Sequence, residues 1–367
     1  MTTLTISWRQ LLGMTAPLLL TSSLATADPF DSARTRIQNV MTAHDIASVS
    51  VAVAHREKII WEQSFGWADV ERRIPATPRT PYLLASITKP MTATAIMMLM
   101  ERGAIDLDQP IDRYLGVQKI TARIGNARDA TVRRVAAHTA GLPLHGLFTY
   151  SDESGSPPPI EETFRRYGVI VNPPGESFVY SNLGYGLLEA AIERASGKSY
   201  SQFLTDELFA PLGLNDSTVN APEHGAAIRY WGQRVVPTQD TDAKGAGAVF
   251  MSAHDLVRFG MFHLHGRLDG QRKSVLQPAT LAAMHEATRL NDGSSSGYGV
   301  GWFVGEQHGL RYFGHNGGNA GTATVLAIYP DQELVIVVLG NGVSRSGAVH
   351  FLENDIIHAL LPETIRN

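Results

Sequence analysis

Alternating apolar runs stand at the two ends of this 367-residue chain and are nearly missing from its middle. Residues 48–54 alternate as a strand does, and a turn at Arg56-Glu57-Lys58 leads into a second such run at 59–65. Near the other end, residues 298–304, 310–313, 322–329 and 333–339 read the same way, with Pro330-Asp331-Gln332 turning between the last two. Helical spacing covers 30–44, most of 86–290 and 348–361. A strand with one apolar face needs neighbours and a covering layer. The fold class expected is therefore α/β (α+β): one antiparallel sheet built from both chain ends and flanked by helices. A sheet lobe of about 28–85 and 295–367 would carry an inserted, mainly helical lobe of about 86–294. A site is expected at the junction of the two lobes. No internal repeat is found.

Charge and composition exclude several classes. Thirty-one basic against thirty-five acidic residues gives −4 with no run of like charges, so no nucleic-acid partner is expected. There is no cysteine, which removes disulfides, thiolate metal sites and a cysteine nucleophile. Arg9 is the only charge in residues 1–27, an apolar stretch with Pro17 follows it, and Ala25-Thr26-Ala27 fits a small-x-small cleavage site. Residues 1–27 are thus expected to be a signal peptide, and the mature protein periplasmic or secreted, with no stable membrane anchor. No H-E-x-x-H or glycine-rich phosphate loop occurs, so neither a metal nor a cofactor is expected.

Residues 80–100 hold a single charged side chain, Lys89, among apolar neighbours on every face. A helix apolar all round is buried. Burial and the positive end of the helix both disfavour a cation, so the pKa of Lys89 should fall. Ser86 lies three residues earlier on the same face, and a serine with a depressed amine beside it is what nucleophilic catalysis requires. A cap at Ser86 with a snorkelling Lys89 is the structural alternative. Of six lysines, only Lys89 has a serine three places before it. Pro90 disfavours α geometry at Lys89 and predicts a distorted first turn.

Tyr180-Ser181-Asn182 is the only Tyr-x-Asn, and it precedes a helix expected over 183–195. His315-Asn316-Gly317, followed by Gly318, is the only His-x-Gly. In the order Ser-x-x-Lys, Tyr-x-Asn, His-x-Gly, these segments resemble the serine β-lactamase and penicillin-binding-protein superfamily. The likeness is to the class C branch, with its related esterases, D-amino-acid peptidases and D-Ala-D-Ala carboxypeptidases. The flanking runs His138-Thr139-Ala140-Gly141-Leu142, 173–185 and 314–321 add to it, and it spans about 30–361. The resemblance implies Ser86 as acylated nucleophile, with Lys89 and Tyr180 as its base network and the ground-state base left open between them. It further implies Asn182 on the substrate's acyl side, His315 and Gly317 on a substrate-binding strand, and backbone N–H groups of Ser86 and Gly318 as an oxyanion hole. A small-molecule or peptide substrate and a monomer are expected.

Class A and class C β-lactamases usually carry Lys-Thr-Gly or Lys-Ser-Gly where this chain has His315-Asn316-Gly317. A largely neutral histidine weakens the case for carboxylate-bearing substrates. The expectation therefore leans to ester or amide hydrolysis, with a true β-lactamase or D-Ala-D-Ala carboxypeptidase as the alternative. Arg311 is a candidate replacement cation. From another class, a catalytically silent peptidoglycan- or peptide-binding protein would not need both nucleophile and bases. Two decoys are set aside: Gly293-Ser294-Ser295-Ser296-Gly297 lacks the strand–turn–helix context of a nucleophile elbow. His263 and His265 cannot form a helix-face metal pair.

Overall fold

The computed structural model describes residues 28–343 and 347–360; the expected signal peptide lies outside them. Helix α1 (Asp31–His44) leads into β1 (Ser48–His55), β2 (Lys58–Asp69) and the short β3 (Ile74–Pro75). The far end of the chain supplies β4 (Phe303–Gln307), β5 (Leu310–Asn319), β6 (Thr322–Tyr329), β7 (Leu334–Gly340) and helix α5 (Leu352–Leu360). These strands form one sheet in the order β4-β5-β6-β7-β1-β2-β3. The first and last parts of the chain meet at its centre, where β1 lies antiparallel to β7 with Val49 opposite Gly340 and Val53 opposite Ile336. The fold class is the expected one.

Strand alternation sorts the two faces. Val49, Val51 and Val53 of β1 and Ile336 and Val338 of β7 pack beneath Phe30, Ile37, Ile356 and Ile357 of the terminal segments. The intervening Ala52, Ala54, Val335 and Val337 face the other way, into a larger core with Phe259 and Phe262 of helix α4 (Ala253–His265). Small side chains there let the helix come close: a Cβ at Gly260 would stand 2.5 Å from Val335 Cγ1. Each fully buried Val, Leu, Ile or Phe contributes roughly 1.5–3 kcal/mol. The same core takes in helix α2 (Thr88–Glu101), buried at every residue from Thr88 to Leu99, and helix α3 (Asn182–Ser196). No described helix is long and apolar enough to cross a membrane.

One strand begins later than its pattern suggested. Instead of 298–304, β4 starts at Phe303, because Gly297 and Gly301 take φ of +71° and +91° and turn the backbone out of extended geometry. Gly301 is also pressed on α2, where a Cβ would meet that of Ala93 at 2.4 Å. Conversely, β5 runs beyond 313 through Asn319 and so carries His315, Gly317 and Gly318 on its rail.

Gly317 fixes the distance between the sheet and the Ser86 segment. Its Cβ position lies 2.1 Å from the Leu84 carbonyl oxygen and 2.2 Å from Thr324 Oγ1, which itself donates to Leu84 O at 2.9 Å. Neither neighbour can yield without breaking that bond. Gly317→Ala is expected to lower stability by about 1–3 kcal/mol, the usual range for overpacking, read as a reduced urea midpoint at unchanged slope.

Candidate active site

Ser86 sits in a 3-10 turn, Ala85–Ile87, directly before α2. The irregular turn thus falls just before the helix, while Lys89, where Pro90 is expected to disfavour α geometry, lies within α2. Ala85 adopts φ +48°, a left-handed conformation that a residue with a Cβ adopts at a cost. The turn is held from several sides: Leu84 N donates to Val249 O at 2.8 Å, and Val249 N donates to Thr88 Oγ1 at 3.1 Å. Ser86 is consequently half-buried at a fixed point on the cleft wall.

Lys89 is completely buried one helical turn away. Its Nζ lies 3.2 Å from Ser86 Oγ, 2.8 Å from Asn182 Oδ1 and 2.9 Å from the Ala246 carbonyl oxygen. No carboxylate is among these partners. Desolvation alone therefore drives the Lys89 pKa well below its ordinary value. Ala246 O can only accept, and Asn182 Oδ1 is identified as the accepting end because Nδ2 donates to His145 O at 3.0 Å. The protonated amine can donate to both and to Ser86 Oγ; once neutral, it keeps two hydrogens for Ala246 O and Asn182 Oδ1 and can turn its lone pair to the Ser86 hydroxyl.

Tyr180 and Asn182 arrive together because the residue between them is a helix cap. Ser181 Oγ accepts from Gly184 N at 3.0 Å and donates to Pro143 O at 2.6 Å, which starts α3 and leaves its two neighbours facing Lys89. The Tyr180 ring centroid is 4.7 Å from Lys89 Nζ. Burial pushes the Tyr180 phenol up to about 12, opposed by a hydrogen bond with Ser86. It is an O–H group at neutral pH. Asn182 is further braced from behind, since His145, whose carbonyl it holds, is paired through Nε2 with Asp242 Oδ2 at 2.7 Å. Burial would raise the Asp242 carboxyl, but bonds from His145 and Thr163 outweigh it and hold it below its usual value.

The cleft is lined by Ser86, Asn182, Gly318 and Asn319, with Phe148, Thr241 and the small residues Gly146, Ala243, Ala246 and Gly247. Gly318 is exposed, and a Cβ there would have only His350 Cε1 at 4.0 Å. His315 is placed differently. Its ring is 1% exposed behind the wall, with Nδ1 donating to Asn316 O at 2.8 Å and Nε2 accepting from Tyr298 OH at 3.0 Å. Burial and nearby Lys89 push its pKa down to about 3, so the ring is neutral. Arg311 is an ion pair with Asp331, Nη2 to Oδ1 at 2.7 Å, at the other end of β5. It does not line the cleft.

Four residues in this shell carried no signal in isolation. His138, at φ +59°, is buried against the rings of Tyr180, Tyr185 and Tyr298, and its Nδ1 accepts from Ser181 N at 3.1 Å. Its positive φ lies inside the His-Thr-Ala-Gly-Leu run, the one hint available from sequence. His145, Asp242 and Tyr298 are recruited by long-range packing only.

The residues 33–358 match the family model described as Beta-lactamase. The chain belongs to the beta-lactamase family. Within it, this chain is 28% identical over 360 residues to penicillin-binding protein 4 of Amycolatopsis lactamdurans, covering 91% of each chain. It is 26% identical over 320 residues to penicillin-binding protein 4* of Bacillus subtilis, covering 80% of this chain and 67% of that one. It spans 64% of the length of the Staphylococcus aureus protein flp. A class C beta-lactamase structure shares the fold at 20% identity, TM-score 0.76, with 93% of this chain and 99% of the other covered. An octameric penicillin-binding protein homologue from Pyrococcus abyssi does so at 24% identity and TM-score 0.72, covering 89% and 76%. Members of this family are in general serine hydrolases, and the Ser86–Lys89 geometry accords with that chemistry.

The buried amine has a pH signature. Lys89 accepts a proton only when neutral, so single-turnover labelling of Ser86 by a phosphonate should rise with pH through the lowered Lys89 pKa. It should level off well below the amine's ordinary value of about 10.4. An unfolded chain keeps the Lys89 proton up to that value and the folded one releases it lower, so stability also rises with pH across the interval. Lys89→Met is expected to abolish both dependences; a labelling limb that stays near pH 10 would show an amine that burial has not shifted.

Proposed function

We propose that this chain is a serine hydrolase that works through an acyl-Ser86 intermediate, with neutral carboxylic esters as preferred substrates. The observation that carries the reading is the buried Lys89 Nζ at 3.2 Å from Ser86 Oγ, with Asn182 Oδ1 and Ala246 O placed to take its two hydrogens when the amine is neutral. Lys89 takes the hydroxyl proton as Oγ attacks the carbonyl carbon. The oxyanion lies against the N–H groups of Ser86 and Gly318, each such donor contributing roughly 3 kcal/mol to the transition state. As the C–O bond to the leaving alcohol breaks, the Tyr180 hydroxyl protonates that oxygen, and the Lys89 ammonium restores the phenol. Water then attacks the acyl group, its proton passing to the same base, and Ser86 is regenerated. One chain supplies every group in this sequence of steps, so a monomer suffices.

The ester preference rests on the cleft's charge. Among the described residues that line it none is charged, His315 is neutral, and Arg311 is paired elsewhere. A hydrogen bond to a charged group contributes about 1.5–3 kcal/mol, or roughly 10–150-fold. Penicillins and D-Ala-D-Ala peptides present a carboxylate that would forgo it here. A second reading, a D-amino-acid peptidase or carboxypeptidase, draws on likeness to SurE. That protein has been solved with D-Leu, and the match is 25% identical with a TM-score of 0.72 over 91% of this chain.

Steady-state hydrolysis of p-nitrophenyl butyrate, a chromogenic cephalosporin and an acyl-D-Ala-D-Ala peptide separates these readings. The ester is expected to lead in kcat/KM by about 100-fold, near the upper end of what one charged hydrogen bond contributes. Ser86→Ala should remove turnover of all three together with the mass increase left by a phosphonate. A phosphonate adduct that persists in Ser86→Ala, or none in the wild type, would leave a binding protein as the better description.

A further inference from the structure

Gly317 and Gly318 share a peptide unit, and the two ends of that unit have different neighbours. The Gly317 carbonyl oxygen is 2.9 Å from Nε2 of His350, a half-buried residue that follows β7 by ten positions and belongs to none of the motifs. A carbonyl only accepts, so His350 Nε2 carries the hydrogen. The ring is well anchored. Val349 and Leu352 beside it are buried, and Val349 Cγ1 is 3.2 Å from the Cβ position of Gly340 at the end of β7. The peptide bond is trans, since no described bond is cis, and in a trans unit C=O and N–H point in opposite directions. Fixing the Gly317 oxygen on His350 therefore fixes the line along which Gly318 N–H projects.

On one flank β6 pairs with this stretch of β5, Gly317 opposite Thr324 and Gly318 opposite Ala323, so the sheet sets the peptide plane and His350 adds a second hold on its oxygen. That hold matters because β4 pairs with β5 only as far as Gly314, opposite Phe303, and no described strand lies beyond the 315–319 edge on that other flank. Gly318 has no side chain to pack, and glycine is the residue least restrained in φ and ψ. It lines the cleft beside Ala85 and Ser86. An oxyanion donor is useful only when it is aimed before charge develops. A bond to the carbonyl also polarises the amide and strengthens its N–H as a donor.

We propose that His350 is a positioning residue: through its bond to Gly317 O it aims and polarises the Gly318 N–H toward the substrate oxyanion. This rests on the acyl-Ser86 reading and adds a residue that acts on the transition state without touching substrate. The bond needs only the hydrogen on Nε2.

The test compares His350→Ala, which removes the donor, with His350→Gln, which restores an N–H at similar reach. Turnover of p-nitrophenyl butyrate and inhibition by an alkyl boronic acid, which forms a tetrahedral adduct on a serine, are measured for both. His350→Ala should lower kcat about 10-fold, within the range of one hydrogen bond, with KM changed less than about twofold. Boronate affinity should fall in parallel, and His350→Gln should recover both to within about threefold of wild type. His350→Leu stands in if the alanine variant does not fold. An unchanged kcat in the alanine or leucine variant, a loss confined to KM, or a glutamine variant as impaired as alanine overturns the proposal. A wild-type protein that never acylates at Ser86 overturns instead the reading on which it rests.

Discussion

An amine buried without an anion is the constraint around which the rest is arranged. Removing Lys89 from water disfavours its charged form, and no carboxylate among the described residues is a hydrogen-bond partner that could compensate. The surroundings are consistent with a neutral site throughout. His138 and His315 are both pushed below their usual range by burial and by the amine itself, and Tyr180 is pushed above its own. Three neutral rings thus surround an amine whose charged form burial disfavours, so the site holds few fixed charges around the group that exchanges a proton.

Sheet and helices cooperate to hold that volume open. Gly317 presses β5 against the Leu84 carbonyl, and Thr324 ties the same carbonyl to β6. Ser181 starts α3 where its neighbours face the amine, and the His145–Asp242 pair braces Asn182 from the outside. The strained Ala85 backbone is the local consequence of squeezing the nucleophile's turn between these supports. Such strain persists only where the surroundings over-determine the conformation.

Much of this was legible in the sequence where a local rule applied. A lone lysine in a helix without a polar face had to be buried. Strand alternation at both ends of the chain foretold the shared sheet. Local rules fail where glycine conformation or distant hydrogen bonds decide. The break before β4 depends on φ at Gly297 and Gly301, which a run of apolar letters conceals. His315 reads as a cleft residue from its motif, yet Tyr298 and its own neighbour's carbonyl draw the ring behind the wall. Asn182 lines the cleft as its motif implies, and it also holds Lys89, 93 positions away, a contact no local pattern announces. His350 has no pattern at all, because its partner lies 33 residues back on another element.

The pairing of β1 with β7 also bears on when the molecule can function. Val49 and Gly340 are neighbours in space although almost the whole chain separates them. Closing such a loop has to precede the reward of its contacts, and folds rich in distant pairings assemble slowly. The Leu84 carbonyl behind the Ser86 turn waits for Thr324, and so does the seat of Gly317. A nascent chain therefore cannot seat the Ser86 turn against the sheet until its last strands have emerged.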